Sequence, residues 1–274
     1  MQNVKYNMTD QAGQPLPTQY AIPNTPRILL LGIPLDPLTQ AEAVKRITAF
    51  LHSATQHHIA TPNSEMLVEA SRNPAFKEIL NQTSLNLPDS AGLLWAAKQT
   101  GQRLPERVTG IDTVIALCRQ LDGTTPIFLL GAADGVAKRA AEKLQSLNPA
   151  LVIAGTYAGS PKAEEAEAIV QRINASEAKL LLVAYGAPAQ DVWIHAHLAE
   201  MPCVRVAMGI GGTFDFLAGT RKRAPRVLQR LGLEWLWRLL IEPSRLPRIL
   251  TATVVFPWKV VTEDTAKCKM QNAK

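Results

Sequence analysis

A chain of 274 residues that is 47% hydrophobic and 19% charged can fold around a sizeable core, which excludes an intrinsically disordered protein. Its three cysteines are too few and too far apart for a disulfide framework or a zinc site, and such usage favours a reducing cytosol. The formal net charge of +6 is compatible with nucleic acid, membrane or phosphorylated substrates and selects none of them.

The first 26 residues are polar and contain four prolines. They lack the apolar stretch of a signal peptide, and we expect them to form a flexible leader. Nowhere does the sequence hold about 18 consecutive uncharged apolar residues, so we expect no transmembrane helix and only peripheral contact with a membrane.

From residue 27 onward, short apolar runs alternate with amphipathic stretches. The predicted strands are Arg27–Ile33, His57–Thr61, Ser84–Leu87, Ile127–Gly131, Leu151–Ala154, Leu180–Tyr185 and Val204–Met208. The predicted helices are Thr39–His52, Ser64–Leu80, Gly92–Thr100, Asp112–Leu121, Gly135–Leu147, Pro161–Ala175 and Pro188–Leu198. Nearly continuous apolar strands are typical of a parallel sheet covered on both faces. We therefore predict a Rossmann-like, mostly parallel α/β domain over residues 27–219, with helices on both faces.

The alternation stops after Gly219, and we predict a basic, aromatic and helical appendage over residues 220–274. Between Arg221 and Leu250 the sequence has seven arginines and one lysine against two glutamates, so this segment alone carries a net charge of +6. Charge runs commonly form a solvated helix face. Here two apolar stripes lie among the arginines. This pattern fits a bilayer interface or an oligomer seam better than a solvated face.

Five polar loops follow predicted strands, at residues 61–63, 88–90, 131–135, 185–190 and 209–215. In an open parallel sheet the carboxyl ends of the strands share one edge, where ligands bind. We therefore expect these loops to converge on one crevice.

Two further features have alternative interpretations. The loop GAADG at 131–135 is either a diphosphate-binding turn or a tight turn between strand and helix, and it lacks the G-x-G-x-x-G pattern of dinucleotide sites. Tyr157 follows the next strand, where it either contacts a ligand or lies in a plain loop.

Three aspartates in these regions are candidates for chemistry. Asp89 has small neighbours and lies at the predicted crevice, which suits a general base. From spacing alone, however, an N-cap of the following helix is the better interpretation. Asp112 is also better explained as a cap. Asp215 lies between two phenylalanines, which favours a functional role. No D-x-D motif is present to hold a divalent metal on a diphosphate, so we expect no metal or other cofactor and assign charge neutralisation to arginines.

Six blocks in chain order resemble the WecG/TagA/CpsF family of glycosyltransferases, also called glycosyltransferase family 26. They are TPN at 61–63, PDSAG at 88–92, LPERVTGID at 104–112, YGAPAQ at 185–190 with Trp193, GIGGTFDFLAG followed by RAP up to residue 225, and GLEWLWRLLIEPSR at 232–245. The resemblance extends from about Ile28 to Leu250.

The resemblance implies an inverting transfer of a sugar from a UDP-sugar donor, of the N-acetylmannosamine type, to a polyprenyl-diphosphate-linked amino sugar. Such transfers build cell-surface polysaccharides. It also implies that the appendage docks on the inner leaflet of the cytoplasmic membrane, so that the protein is cytoplasmic and peripherally membrane-bound. A homo-oligomer is left open, and no nucleic-acid partner is expected.

Residue by residue, the resemblance implies that Asp89 is the general base, with Thr61 beside it at the reacting centre. It assigns donor binding to Asn63, Arg107, Gln190 and Asp215. We add Tyr157 to the candidate donor contacts because of its place after a strand, not from the resemblance. It assigns the acceptor diphosphate or the membrane to Arg238, Arg245 and Arg248.

One departure concerns Ser90, which stands where relatives commonly have glycine; its side chain is expected to narrow the acceptor pocket or change the sugar accepted. Two other functions remain as alternatives: a nucleotide-dependent oxidoreductase on a Rossmann-like sheet, and a non-catalytic module that binds anionic lipid or nucleic acid through residues 221–250.

Overall fold

The structure is a computed structural model that describes residues 26–225, 227–228 and 231–263. Of the predicted leader, only Pro26 lies within this part of the chain. The end of the predicted appendage, residues 264–274, lies outside it.

The described fold begins with a small hairpin of two antiparallel strands, β1 (Ile28–Leu30) and β2 (Ile33–Leu35). Leu31 and Gly32, which join them, have φ of 49° and 76°, as a tight turn between twisted strands requires. The prediction of one strand over 27–33 is therefore wrong, because these two left-handed residues reverse the chain.

Six parallel strands form the central sheet in the order β4-β3-β8-β7-β5-β6. The strands are β3 (His57–Ala60), β4 (Leu85–Asn86), β5 (Ile127–Gly131), β6 (Ile153–Tyr157), β7 (Leu180–Ala184) and β8 (Val206–Gly209). All six overlap predicted strands, and the predicted α/β class with a parallel sheet is confirmed. The last strand, β8, lies between β3 and β7, so the carboxyl ends of these three strands are neighbours.

The helices are α1 (Gln40–Leu51), α2 (Ser64–Ala70), α3 (Pro74–Gln82), α4 (Ala91–Gln99), α5 (Gly110–Gln120), α6 (Val136–Leu147), α7 (Ala163–Ala175), α8 (Ala189–His197), α9 (Thr213–Leu217), α10 (Glu234–Ile241) and α11 (Leu246–Leu250). The predicted helix over 64–80 is divided into α2 and α3. Asn73 caps α3 by accepting a hydrogen bond from the Phe76 N–H, and Pro74 occupies the first turn, where its missing N–H costs nothing.

The strand residues alternate between two apolar clusters, one on each face of the sheet. In β5, Ile127 and Leu129 face the cluster packed under α1, α5, α6 and α9, whereas Phe128 and Leu130 face the cluster under α7 and α8. The same alternation holds in β7 and β8. This two-sided burial explains why the strands are apolar at nearly every position.

A third apolar cluster contains the hairpin, α2, α3 and α4, and part of the C-terminal segment. After α11 the helix continues through a π-helical stretch, Thr251–Val255, and on through residues 256–263. Phe256 and Val260 on this helix are 0% and 2% exposed and pack among the apolar side chains of this cluster. Part of the predicted appendage is thus built into the core, and the boundary at Gly219 stays a prediction.

Other side chains of the C-terminal segment are exposed. They include Val227, Leu231, Leu240, Val254, Trp258 and Val261. In the described ranges, no helix combines the length and apolar character needed to cross a bilayer.

We expect Phe256→Ala to lower the free energy of unfolding by about 3–5 kcal/mol, because it leaves a cavity in a closed core. Chemical denaturation monitored by circular dichroism measures this change. Trp258→Ala is the matched control on the same helix: its ring is 66% exposed, so its loss should change stability by about 0.5 kcal/mol or less. Equal effects of the two variants would contradict the core position of Phe256.

Candidate active site

A cavity of about 530 Å³ opens at the carboxyl ends of β3, β7 and β8, with the C-terminal segment forming part of its wall. Eight of the ten predicted site residues line it: Thr61, Asn63, Asp89, Gln190, Asp215, Arg238, Arg245 and Arg248. Four of the five predicted loops contribute to it. Its volume falls within the range typical of small-molecule sites.

The fifth loop, 131–135, contributes no lining residue, so its expected convergence on the crevice is wrong. The loop follows β5, which lies one strand farther from the cavity than β7. Gly131 has φ of 105°, and a Cβ there would lie 2.8 Å from the Ala184 carbonyl carbon. The glycine therefore serves a close approach between strands, and the tight-turn interpretation describes the loop.

A polar network connects the ends of the central strands. Thr61 follows β3, and its hydroxyl donates a hydrogen bond of 2.9 Å to the Gly209 carbonyl at the end of β8. Gln190, at the start of α8, accepts a hydrogen bond of 2.9 Å from the Gly211 N–H. Both side chains are almost fully buried. The network thus holds two predicted site residues on either side of one glycine-rich loop.

Asp89 lies at the cavity floor, between the end of β4 and α4. Ser90, not Asp89, is the N-cap residue of α4, so the cap interpretation of Asp89 is wrong. The Asp89 carboxylate instead accepts a hydrogen bond of 3.2 Å from the Gly110 N–H, at the first residue of α5.

Burial raises the pKa of Asp89 to about 7, although the Gly110 hydrogen bond and the nearby Arg107 and Arg238 pull it down. A carboxylate with a near-neutral pKa is suited to proton transfer at physiological pH. The geometry therefore favours the general-base interpretation.

Asp112 occupies a different environment. Thr109 is the N-cap of α5 and accepts a hydrogen bond from the Asp112 N–H, so Asp112 is not the cap either. Arg223 donates to both carboxylate oxygens of Asp112, at 2.7 and 2.6 Å. Burial alone would raise the pKa of Asp112, but the hydrogen bonds from Arg223 and Thr109 lower it. This acid fixes the C-terminal segment to α5.

Asn63 is the N-cap of α2, and its side-chain oxygen accepts a hydrogen bond of 3.0 Å from the Met66 N–H. It also lines the cavity. The side-chain oxygen of Asn63 therefore already accepts a hydrogen bond from the helix backbone.

Six carboxylates and seven cationic side chains of the described residues line the cavity. Most of the cations are already paired with acids. The pairs are Arg221 with Asp215 and Glu242 at 3.4 Å each, Arg238 with Glu234 at 3.3 Å, Arg248 with Glu65 at 2.6 Å, and Arg245 with Glu242. The unliganded cavity is thus close to electroneutral despite its arginines.

Two predicted donor contacts do not line the cavity. Arg107 pairs with Glu234 of α10, with 2.9 Å between Nη1 and Oε2. Tyr157 ends the edge strand β6, and the Arg172 guanidinium lies 4.6 Å from its ring centroid. Tyr185, which opens the YGAPAQ block, lines the cavity together with the predicted Gln190.

A buried acid–base pair was missed altogether. His58 in β3 and Asp191 in α8 are both buried, and 3.4 Å separates Nε2 from Oδ1. Asp191 directly follows Gln190, so the pair joins the strand that leads to Thr61 to the helix that carries Gln190. The sequence signal was a polar side chain inside an apolar strand, but nothing local indicated its partner.

No group of three or more His, Cys, Asp or Glu side chains that could hold a metal ion occurs within residues 26–225, 227–228 and 231–263.

Comparison with known proteins identifies the family of this chain. Residues 28–269 match the model of the glycosyl transferase WecG/TagA/CpsF family. Proteins of Staphylococcus aureus strains MRSA252 and NCTC 8325, each named N-acetylglucosaminyldiphosphoundecaprenol N-acetyl-beta-D-mannosaminyltransferase, are 31% identical to this chain over 255 residues. The match covers 92% of this chain and 97% of each relative. The chain therefore belongs to the WecG/TagA/CpsF family of glycosyltransferases.

Proposed function

We propose that this glycosyltransferase transfers an N-acetylmannosamine-type sugar from a UDP-sugar to an amino sugar linked to polyprenyl diphosphate, with inversion of the anomeric carbon. The observation that carries the proposal is Asp89, a carboxyl group with a pKa of about 7 at the floor of a cavity whose wall is rich in arginine. The names of the Staphylococcus aureus relatives support the sugar and the acceptor.

In the proposed reaction, ionised Asp89 accepts the proton of the acceptor hydroxyl as that oxygen attacks the anomeric carbon. The bond to the UDP oxygen breaks on the opposite face, and UDP departs with the electron pair. Thr61 and Gln190 hold the loop that follows β8 against the donor. Asp215, at the start of α9, contacts the nucleoside.

The departing diphosphate needs positive charge. We assign this role to cavity arginines, because a guanidinium binds phosphate oxygens through paired hydrogen bonds. Of the cations that line the cavity, Arg72 and Lys222 have no acidic partner in the described part of the chain. These two side chains and the paired arginines are available to neutralise the leaving group without a metal ion.

The decisive experiment is transfer from a panel of UDP-sugars to a lipid-diphosphate acceptor, with product detection by mass spectrometry and with EDTA present. We expect a product with one added sugar and a rate insensitive to EDTA. Loss of activity in EDTA that is restored by a divalent cation would contradict the metal-free mechanism but not the transfer.

Asp89→Asn should lower kcat by roughly 10²- to 10⁴-fold, because the amide cannot accept the acceptor proton. Steady-state kinetics on the variant test this. Asp134→Asn is the control: this aspartate also follows a strand at the same sheet edge but is exposed and does not line the cavity. Full turnover by the Asp89 variant would remove the base assignment.

The pH dependence follows from the same group. Because only the ionised carboxylate can take a proton, kcat/KM should rise about tenfold per pH unit below pH 7 and level off above it. The residual activity of Asp89→Asn should not show this rise of kcat/KM with pH. A limb centred near pH 4 would show that burial does not raise the pKa of Asp89 in solution.

We also propose that the exposed apolar side chains of the C-terminal segment dock on the inner face of the cytoplasmic membrane. Leu240 and Trp258 are 69% and 66% exposed, and basic residues lie nearby in the sequence. Apolar groups interleaved with cations suit an anionic lipid surface. A homo-oligomer seam is the alternative for these side chains, and flotation with anionic vesicles separates the two.

Ser90 bears on acceptor choice. Its hydroxyl lies 3.1 Å from the Ser64 hydroxyl, between the starts of α2 and α4, and it does not line the cavity. The side chain is therefore held against Ser64 at the start of α2, and we expect it to make no direct contact with the acceptor.

We predict that Ser90→Ala leaves the ranking of acceptor sugars unchanged, as measured by competition between two acceptors in one reaction. Thr61→Val, which removes a cavity hydroxyl and its bond to Gly209, is the comparison that should reduce transfer. A changed ranking in the Ser90 variant would restore it as a specificity determinant.

The oxidoreductase alternative is not favoured, because the glycine-containing loop 131–135 lies outside the cavity. A purely lipid-binding or nucleic-acid-binding module does not account for Asp89 at the floor of a polar cavity.

A further inference from the structure

Glu234 stands out among the cavity carboxylates because it contacts two arginines proposed to bind substrate: Arg238, which lines the cavity, and Arg107, which does not. Its Oε2 lies 2.9 Å from Arg107 Nη1, and its Oε1 lies 3.3 Å from Arg238 Nη2. Its side chain is only 14% exposed, and it lines the cavity. It is also near enough to Asp89 to raise the pKa of that base.

The two arginines belong to different parts of the chain. Arg107 precedes α5 in the α/β domain, whereas Arg238 lies one turn after Glu234 on α10. One carboxylate thus bridges a donor-site candidate and a diphosphate-site candidate. A carboxylate presents two oxygens to guanidinium groups much as a diphosphate does, so the two anions compete for the same hydrogen-bond donors.

The charge balance indicates that the contacts of Glu234 with the two arginines are replaced when a diphosphate binds. With Glu234 in place, the charges of Arg107 and Arg238 are opposed by those of Glu234 and of ionised Asp89. The neighbouring Arg223 is already opposed by Asp112, with which it pairs. A diphosphate brought to this cluster would meet no net positive charge and would lie beside two carboxylates. Like charges at close range in a partly buried site are costly, so one carboxylate must withdraw.

We propose that Glu234 occupies the position of a substrate diphosphate in the unliganded protein, and that diphosphate binding displaces it from Arg107 and Arg238. Glu234 is thus a positioning residue: it keeps the two guanidinium groups together until the substrate arrives. This inference rests on the proposed function, and the diphosphate is that of the UDP donor or of the lipid-linked acceptor.

The test compares wild type with Glu234→Gln by isothermal titration calorimetry, with UDP as the donor probe and geranyl diphosphate as the acceptor probe. Removing the competing charge should tighten binding of at least one probe by roughly three- to tenfold. A gain for UDP alone assigns the position to the donor, and a gain for geranyl diphosphate alone assigns it to the acceptor. A merely structural role would not increase affinity.

Glu200→Gln is the matched control. It removes the same charge from an exposed carboxylate that pairs with His197 away from the cavity, so it should leave both affinities within about twofold. If Glu234→Gln fails to fold, Glu234→Asp replaces it: the charge stays, but a side chain one methylene shorter cannot span both guanidinium groups, and affinity should again increase.

Equal or weaker binding of both probes by the folded Glu234 variant would overturn the inference. If wild type binds UDP and transfers sugar in that case, only the inference fails. If wild type binds neither probe and transfers no sugar, the proposed function fails and the inference with it.

Discussion

The site depends on a close approach around Gly209, the last residue of the central strand β8. Thr61, after β3, donates a hydrogen bond to its carbonyl, and Gln190 and Asp191 of α8 pack against its Cα. A Cβ at this position would lie 2.7 Å from both Gln190 Nε2 and Asp191 Oδ1. A side chain here would displace Gln190 and Asp191, so glycine lets α8 pack against the end of β8, where the cavity opens.

The ionisable side chains of the cavity are of two kinds: one carboxyl group with a raised pKa, and arginines paired with acids. Asp89 lies where burial disfavours its charge, so it is ready to take a proton near neutral pH. The arginines are mostly held by carboxylates from neighbouring elements. Such pairing keeps a highly charged wall compatible with a stable fold in the absence of substrate. The same pairing means that substrate anions must compete with the protein's own acids.

Much of the fold was readable from the sequence because buried parallel strands are apolar at nearly every position, as in Ile127–Gly131, which was predicted to the residue. The hairpin was missed because one of its two left-handed turn residues is Leu31, which carries no glycine signal. The sequence Asn73-Pro74 signals the break between α2 and α3. The apolar pattern, which continues across it, instead predicted one helix.

The site was predictable where a residue lies within a few positions after a strand of the sheet, as Thr61, Asp89, Gln190 and Asp215 do. It was not predictable where a partner distant in sequence decides the position. Arg107 is directed to Glu234, which lies 127 residues later in the chain. Asp191, in α8, was not predicted because its partner, His58, lies in β3, far away in the sequence.

The anchoring of the C-terminal helix limits how the segment before it can move. Ala224 is buried next to Arg223, which grips Asp112, and Ile249, Phe256 and Val260 are buried on the far side. α10 therefore lies in a segment that is anchored to the core on both sides. Moving this segment away from the cavity would expose those buried side chains to solvent. The proposed lipid contact and access to Asp89 are consequently linked, since α10 directs Glu234 and Arg238 to the cavity and leaves Leu240 exposed.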